Sequence, residues 1–120
     1  MKGRKISGGK YRSIRKKKHY EMPGKVRQVK LSKEKKKEMR VRGGDVKTVL
    51  LAADKVNIID PKTKKCKRVS IKNVVETPSN RFLSRQNVIT KGAIIDTDLG
   101  KARVTNRPSQ EAVINAVLIE

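Results

Sequence analysis

The chain has 120 residues, and its 32 Lys and Arg against 11 Asp and Glu give a net charge of +21. That length suits one domain with a tail, and a free globule of such charge repels itself, so a polyanionic partner is expected. The apolar runs, such as Val49–Ala53, are too short to cross a bilayer, and the start Met-Lys-Gly-Arg-Lys lacks the apolar stretch of a secretory signal.

Charge divides the sequence near Arg42. Residues 1–42 hold eighteen Lys and Arg against three Glu, net +15, whereas residues 43–120 hold fourteen against eight acids, net +6. The organisation read from this is an extended basic arm over 1–42 and a body over 43–120. Within the arm, Ile6, Ile14, Met22, Val26, Val29 and Leu31 follow neither a period of 2 nor one of 3.6, which predicts little independent structure. Ser7-Gly8-Gly9-Lys10 and Pro23-Gly24 read as turns. Ser32 is placed to cap a short helix over Lys33–Glu38.

From Met39 the texture becomes short β-like runs broken by turn residues. Val46–Ala53 and Val56–Ile59 are followed by the loop Asp60-Pro61-Lys62-Thr63-Lys64-Lys65. Cys66–Lys72 then alternates, with Val69 and Ile71 on one face and Arg68, Ser70 and Lys72 on the other. Pro78–Gln86 is the one helical candidate of this half, with Phe82 and Leu83 as its apolar contacts. Ala93–Thr97 and Lys101–Thr105 flank Asp98-Leu99-Gly100, a three-residue hairpin loop with Gly100 at positive φ. Ala112–Ile119 reads as a last apolar strand. The predicted core includes Val49, Leu51, Val69, Ile71, Ile94, Val104, Val117 and Ile119. The fold class expected is mainly β: a small closed or partly closed barrel of about six short strands with one short helical segment, preceded by the arm. With only Tyr11, Tyr20 and Phe82 as aromatics, the core must rest on Val, Ile, Leu and Ala.

Catalytic chemistry finds little support. Neither G-x-G-x-x-G nor G-x-x-x-x-G-K-[ST] occurs. His19 lies inside Arg15-Lys16-Lys17-Lys18-His19-Tyr20 with no carboxylate–nucleophile arrangement around it, and contact with RNA or solvent suits it better than acid–base work. Asp96 and Asp98 share a strand face, which is read as a solvated strand end. The one cysteine, Cys66, offers no internal disulfide and no thiol pair for a metal, and is read as a small buried residue at a strand start. No enzyme, cofactor, metal or small-molecule substrate is expected, and the compartment expected is a reducing cytoplasm.

The basic runs point to RNA. Between Lys2 and Lys18 stand nine cations and no acid, whereas a merely solvated charged face would carry balancing acids. The candidate contacts in the arm are Lys2, Arg4, Lys5, Lys10, Arg12, Arg15, Lys16, Lys17, Lys18 and His19, with Tyr11 and Tyr20 as stacking platforms for unpaired bases or as packing against the body. Arg40 and Arg42 follow. Gly43-Gly44 either lets backbone amides approach a phosphate or simply turns the chain into the first strand. In the body, Lys62, Lys64, Lys65, Arg68 and Arg103, with Lys72 and Lys101, are expected to form a second phosphate-facing surface. A chromatin-type DNA binder is the rival reading, but no helical pattern is long enough for groove reading.

Several stretches resemble one family. Ser7-Gly8-Gly9-Lys10, Arg15–Lys18, Val41-Arg42-Gly43-Gly44, the run from Asn87 to Ile95, the run from Leu99 to Pro108 and the run from Val113 to Glu120 look like the archaeal form of small-subunit ribosomal protein eight of the archaeal/eukaryotic type. The resemblance covers nearly the whole chain and lacks the internal insertions of eukaryotic members. It implies a ribosome-bound protein with a β-barrel-like body, partnered by small-subunit ribosomal RNA and neighbouring small-subunit ribosomal proteins.

Overall fold

The structure is a computed structural model, which describes residues 3–12 and 15–119. Its architecture is mainly β, with nine strands in two sheets and one short α-helix among the described residues. Strands β1 (Val29–Leu31), β2 (Lys35–Arg40), β3 (Val46–Ala53) and β6 (Val88–Ile89) form a sheet in the order β2-β3-β1-β6. Strands β4 (Lys55–Ile59), β5 (Cys66–Glu76), β7 (Ile94–Thr97), β8 (Gly100–Val104) and β9 (Asn115–Leu118) close into a five-stranded barrel.

The barrel closes because β4 pairs antiparallel with β5 on one side and parallel with β9 on the other, with Asn57 opposite Asn115. The long strand β5 follows β7 through two register shifts, at Ile71/Asn73 and Val74/Glu76, and such bulges add the curvature that closure needs. A five-stranded barrel has a narrow interior, so small and β-branched residues fill it. Val56, Ile58, Val74, Ile95, Ala102, Val104, Ile114 and Ala116 are each at most 3% exposed. Val29, Leu50 and Ile89 of the sheet belong to the same cluster, so sheet and barrel share one core. Asp54 is the single residue between β3 and β4, and the two layers are therefore continuous along the chain.

Several expectations are corrected. Lys33–Glu38 forms no helix; β2 occupies Lys35–Arg40 and pairs with β3 from Lys35↔Ala52 to Arg40↔Val46. Lys, Glu and Met favour helix intrinsically, but a neighbouring strand with unpaired backbone groups outweighs that preference. β1 and β2 lie within residues 1–42, so paired structure begins before the charge boundary. The β7–β8 loop has two residues, Asp98 and Leu99, because Thr97 pairs with Gly100, whose φ is 118°. Ile95 rather than Ile94 is fully buried, and Ile114 and Ala116 rather than Val117 and Ile119 face inward at the last strand. Leu51 is half-buried, while Leu50 beside it is in the core. Cys66 starts β5 as expected but is exposed.

The predicted helical segment contains α1 (Arg81–Arg85). The Asn80 side chain caps it by accepting from the Phe82 N–H at 2.9 Å, and Asn87 just beyond its end takes the left-handed conformation at φ 52°. Leu83 is half-buried as expected, but Phe82 is 55% exposed.

Candidate nucleic-acid interface

The described residues before β1 are almost all exposed and carry one isolated bridge, Arg4↔Lys10, and one 3-10 turn, His19–Glu21. The bridge brings Arg4 and Lys10 together around the Gly8-Gly9 turn, where Arg4 Nη1 donates to the Gly8 carbonyl at 2.8 Å. Lys5 Nζ stands 5.9 Å from the centre of the Tyr11 ring, and Lys18 Nζ the same distance from Tyr20. Tyr11 is 54% and Tyr20 69% exposed. Of the two roles read for them, packing against the body is therefore set aside: both rings face outward beside a cation.

Glu21 is the acid that organises this region. Both its carboxylate oxygens accept from Arg15 at 2.7 Å, and Oε2 also accepts the Lys18 backbone N–H at 2.9 Å. The Arg15 guanidinium, with the Lys18 amide, holds the Glu21 carboxyl below its ordinary range. Arg15 is thus pinned, while Arg12, Lys16 and Lys17 make no ion pair among the described residues. His19 is exposed in the turn, and no group of three His, Cys, Asp or Glu among the described residues is arranged to hold a metal. Lys2 lies outside the described residues.

Arg40 ends β2, and Arg42, Gly43 and Gly44 make the loop into β3. Gly43 and Gly44 take φ of 88° and 93°, and an added Cβ at either would meet nothing within 4 Å. Backbone conformation, not crowding, therefore calls for glycine there. The pair does turn the chain, but the strand it enters, β3, is the third and not the first. Along β2, Lys35, Lys36, Lys37 and Arg40 line the outer edge of the sheet, since β2 pairs only with β3. Lysines on an edge strand discourage pairing with another sheet. As a strand, this run exposes Lys35, Lys36, Lys37 and Arg40 at the sheet edge, Lys36 ion-paired with Glu34, an arrangement that the helical reading of 33–38 obscured.

The cations of the body stand in several local settings. Lys62, Lys64 and Lys65 share the β4–β5 loop, which Asp60 builds: its carboxylate accepts the Lys62 N–H at 3.0 Å and the Thr63 hydroxyl at 2.8 Å. Those donors, the Thr63 hydroxyl foremost, hold the Asp60 carboxyl below its ordinary range. Arg68 instead lines a cleft of about 160 Å³ between sheet and barrel, with Glu34, Lys36, Lys55 and Asn57, and lies 3.5 Å from the Glu34 carboxylate. Lys72 is bound to Asp98 at 3.0 Å, and Ser70 donates to the same carboxylate at 3.1 Å, so Asp98 is a salt-bridged strand end. Arg103 and Lys101 are exposed on β8. Sequence reasoning passed over Arg81 and Arg85, whose guanidinium carbons lie 5.5 and 5.9 Å from the Phe82 ring centre. Two Arg at one and three residues from an aromatic were the available signal.

The described residues make a small, mainly β protein whose cations are spread over an arm, a sheet edge and several loops. Its family is shown by comparison. The family model for Ribosomal protein S8e matches residues 1–119, and the chain belongs to that family. Among similar proteins is the small ribosomal subunit protein eS8 of Methanococcus aeolicus, 48% identical over 117 residues, covering 97% of this chain and 91% of that one. The eS8 of Sulfolobus acidocaldarius is 44% identical with the same coverage, and that of Ignicoccus hospitalis 48% identical over 98% of this chain and 92% of its own. The resemblance carried by the motifs from Ser7 to Glu120 is thereby confirmed, and with it the non-enzymatic character of the chain.

Proposed function

We propose that the chain is a structural constituent of the archaeal small ribosomal subunit that binds and stabilises folded ribosomal RNA through phosphate contacts, working in the cytoplasm as part of the ribosome beside neighbouring small-subunit proteins. The observation that carries this reading is the acid-free run from Lys2 to Lys18, nine cations ahead of the first acid at Glu21. Exposed Tyr11 and Tyr20 beside those cations fit RNA, whose unpaired bases stack on aromatic rings. The five-residue helix α1 is about 7.5 Å long, too short to lie along a DNA groove as a reading helix.

Counterion release gives the test. Contacts to about eight phosphates of double-helical RNA contribute a slope of about 7 to log K against log[salt]. Deleting residues 1–25 spares β1 and should remove most of that slope on an archaeal small-subunit ribosomal RNA transcript, leaving weak binding by the body. Tyr11→Ala/Tyr20→Ala should lower affinity with the slope unchanged. A deletion that keeps the parental slope would move the main RNA contact to the body.

A further inference from the structure

We propose that Arg81, Phe82 and Arg85 on α1 form a stacking platform for an unpaired RNA base, remote in sequence from the tyrosines of the arm. The proposal rests on the ribosomal RNA reading above and adds a site that reading does not use. Phe82 is the only aromatic residue of the body, yet it is left 55% exposed. Water penalises an open phenyl ring, and the core is filled without it.

Two guanidiniums stand within cation–π range of the ring, at 5.5 and 5.9 Å. Neither makes an ion pair or a side-chain hydrogen bond among the described residues. No acid occurs between Glu76 and Asp96, so nothing on this stretch competes for the two cations. The platform is also held in place. The Asn80 cap fixes the start of α1, Leu83 is half-buried, and Asn87 beyond its end accepts both the Leu31 N–H at 2.9 Å and the Val74 N–H at 3.3 Å.

An exposed aromatic ring with two unpaired guanidiniums within 6 Å matches a nucleotide: the base lies on the open part of the ring, and the cations reach its flanking phosphates or stack in turn. The same pairing recurs at Tyr11 and Tyr20, so all three aromatics of the chain are exposed rings with a cation within 6 Å. A protein surface docking on Phe82 would be expected to bring acids to both arginines, and it is the competing outcome of the test.

The experiment uses full-length protein and an archaeal small-subunit ribosomal RNA transcript, with affinity measured across salt concentrations. Phe82→Ala should weaken binding about tenfold at every salt, with the slope unchanged. Phe82→Tyr should bind like the parent, and Phe82→Leu should be as weak as Phe82→Ala. Arg81→Gln/Arg85→Gln should reduce the slope by about 1.4, the value for two single-strand phosphate contacts. Ultraviolet crosslinking should join Phe82 to an unpaired nucleotide. Parental affinity in Phe82→Ala or Phe82→Leu, while the parent itself binds, would overturn the platform alone. Crosslinks from residues 81–85 to protein rather than RNA in reconstituted subunits would overturn it in favour of a protein contact. A parent that fails to bind the transcript would overturn both readings.

Discussion

Ile95 has no exposed surface, and it stands opposite Val74 on one side and Ala102 on the other, both in the core. Truncating it opens a hole that neighbours in a closed barrel cannot collapse to fill. Ile95→Ala should cost about 2–5 kcal/mol by urea unfolding, a large share of the roughly 5–15 kcal/mol that holds a domain together. Ile94→Ala, at a half-buried position, should cost clearly less, and equal losses would mean that the barrel interior is misplaced. A second residue-scale expectation concerns acid. Lys72, and after it Ser70, lower the folded-state pKa of Asp98. A depressed carboxyl contributes stability above its unfolded pKa, near 3.9, and loses it as pH falls through the lower folded value. Asp98→Asn should therefore flatten the acid limb of the curve of Tm against pH, modestly because the pair is open to water. An unchanged limb would show that the bridge contributes nothing.

Strand β1 decides how the basic arm is attached. It lies between β3 and β6, parallel to the first and antiparallel to the second, so the chain leaving the arm passes through the middle of a sheet. At about 1 M salt, where charge is screened, deleting residues 1–25 should leave Tm close to the parent value. Deleting residues 1–42 removes β1 and β2, uncovers Leu50 and Val49 of β3, and should abolish cooperative melting, read by circular dichroism. Equal Tm for both deletions would mean that β1 contributes nothing to the body. At this scale the sequence was a good guide where local signals agreed. Val46–Ala53 is strand to the residue, Asp60–Lys65 is a loop, and the β7–β8 hairpin falls where the glycine placed it. It misled where composition and partner disagree, as in the Lys-rich β2. It also misled where two apolar residues adjoin: Leu50-Leu51 and Ile94-Ile95 fit either strand phase, and only the packed interior chooses. Val117 and Ile119 stand one position off the inward-facing Ile114 and Ala116, the same ambiguity of phase in an apolar run. For the site, the cations were legible as a list, but their grouping was not. Asp98 and Glu34, which engage Lys72 and Arg68, come from other segments of the chain.

The whole molecule measures 54 × 36 × 29 Å, with a radius of gyration of 18.4 Å, against about 14 Å for a compact domain of this length. That excess belongs with the exposed chain ahead of β1. Much of the +21 charge lies there, and self-repulsion opposes the folded state at low ionic strength. Raising salt from about 0.01 M to about 1 M shortens the screening length from roughly 30 Å to roughly 3 Å, so Tm of the free protein should rise across that range. The deletion of residues 1–25 should respond less. A flat Tm in the parent would show that the arm's charge stays clear of the body.

The seam of the barrel sets an order of events in time. β4 finds β9 only after Asn115–Leu118 have been made, and Asn57 and Asn115, whose side chains meet across that seam, are 58 residues apart. The arm precedes β9 by most of the chain. At about 5–20 residues per second, the growing polypeptide spends on the order of 5–20 s with its cationic leader already synthesised and its barrel still open. During that interval the leader is joined to a chain that cannot yet fold, and whatever polyanion it meets first meets it in that state.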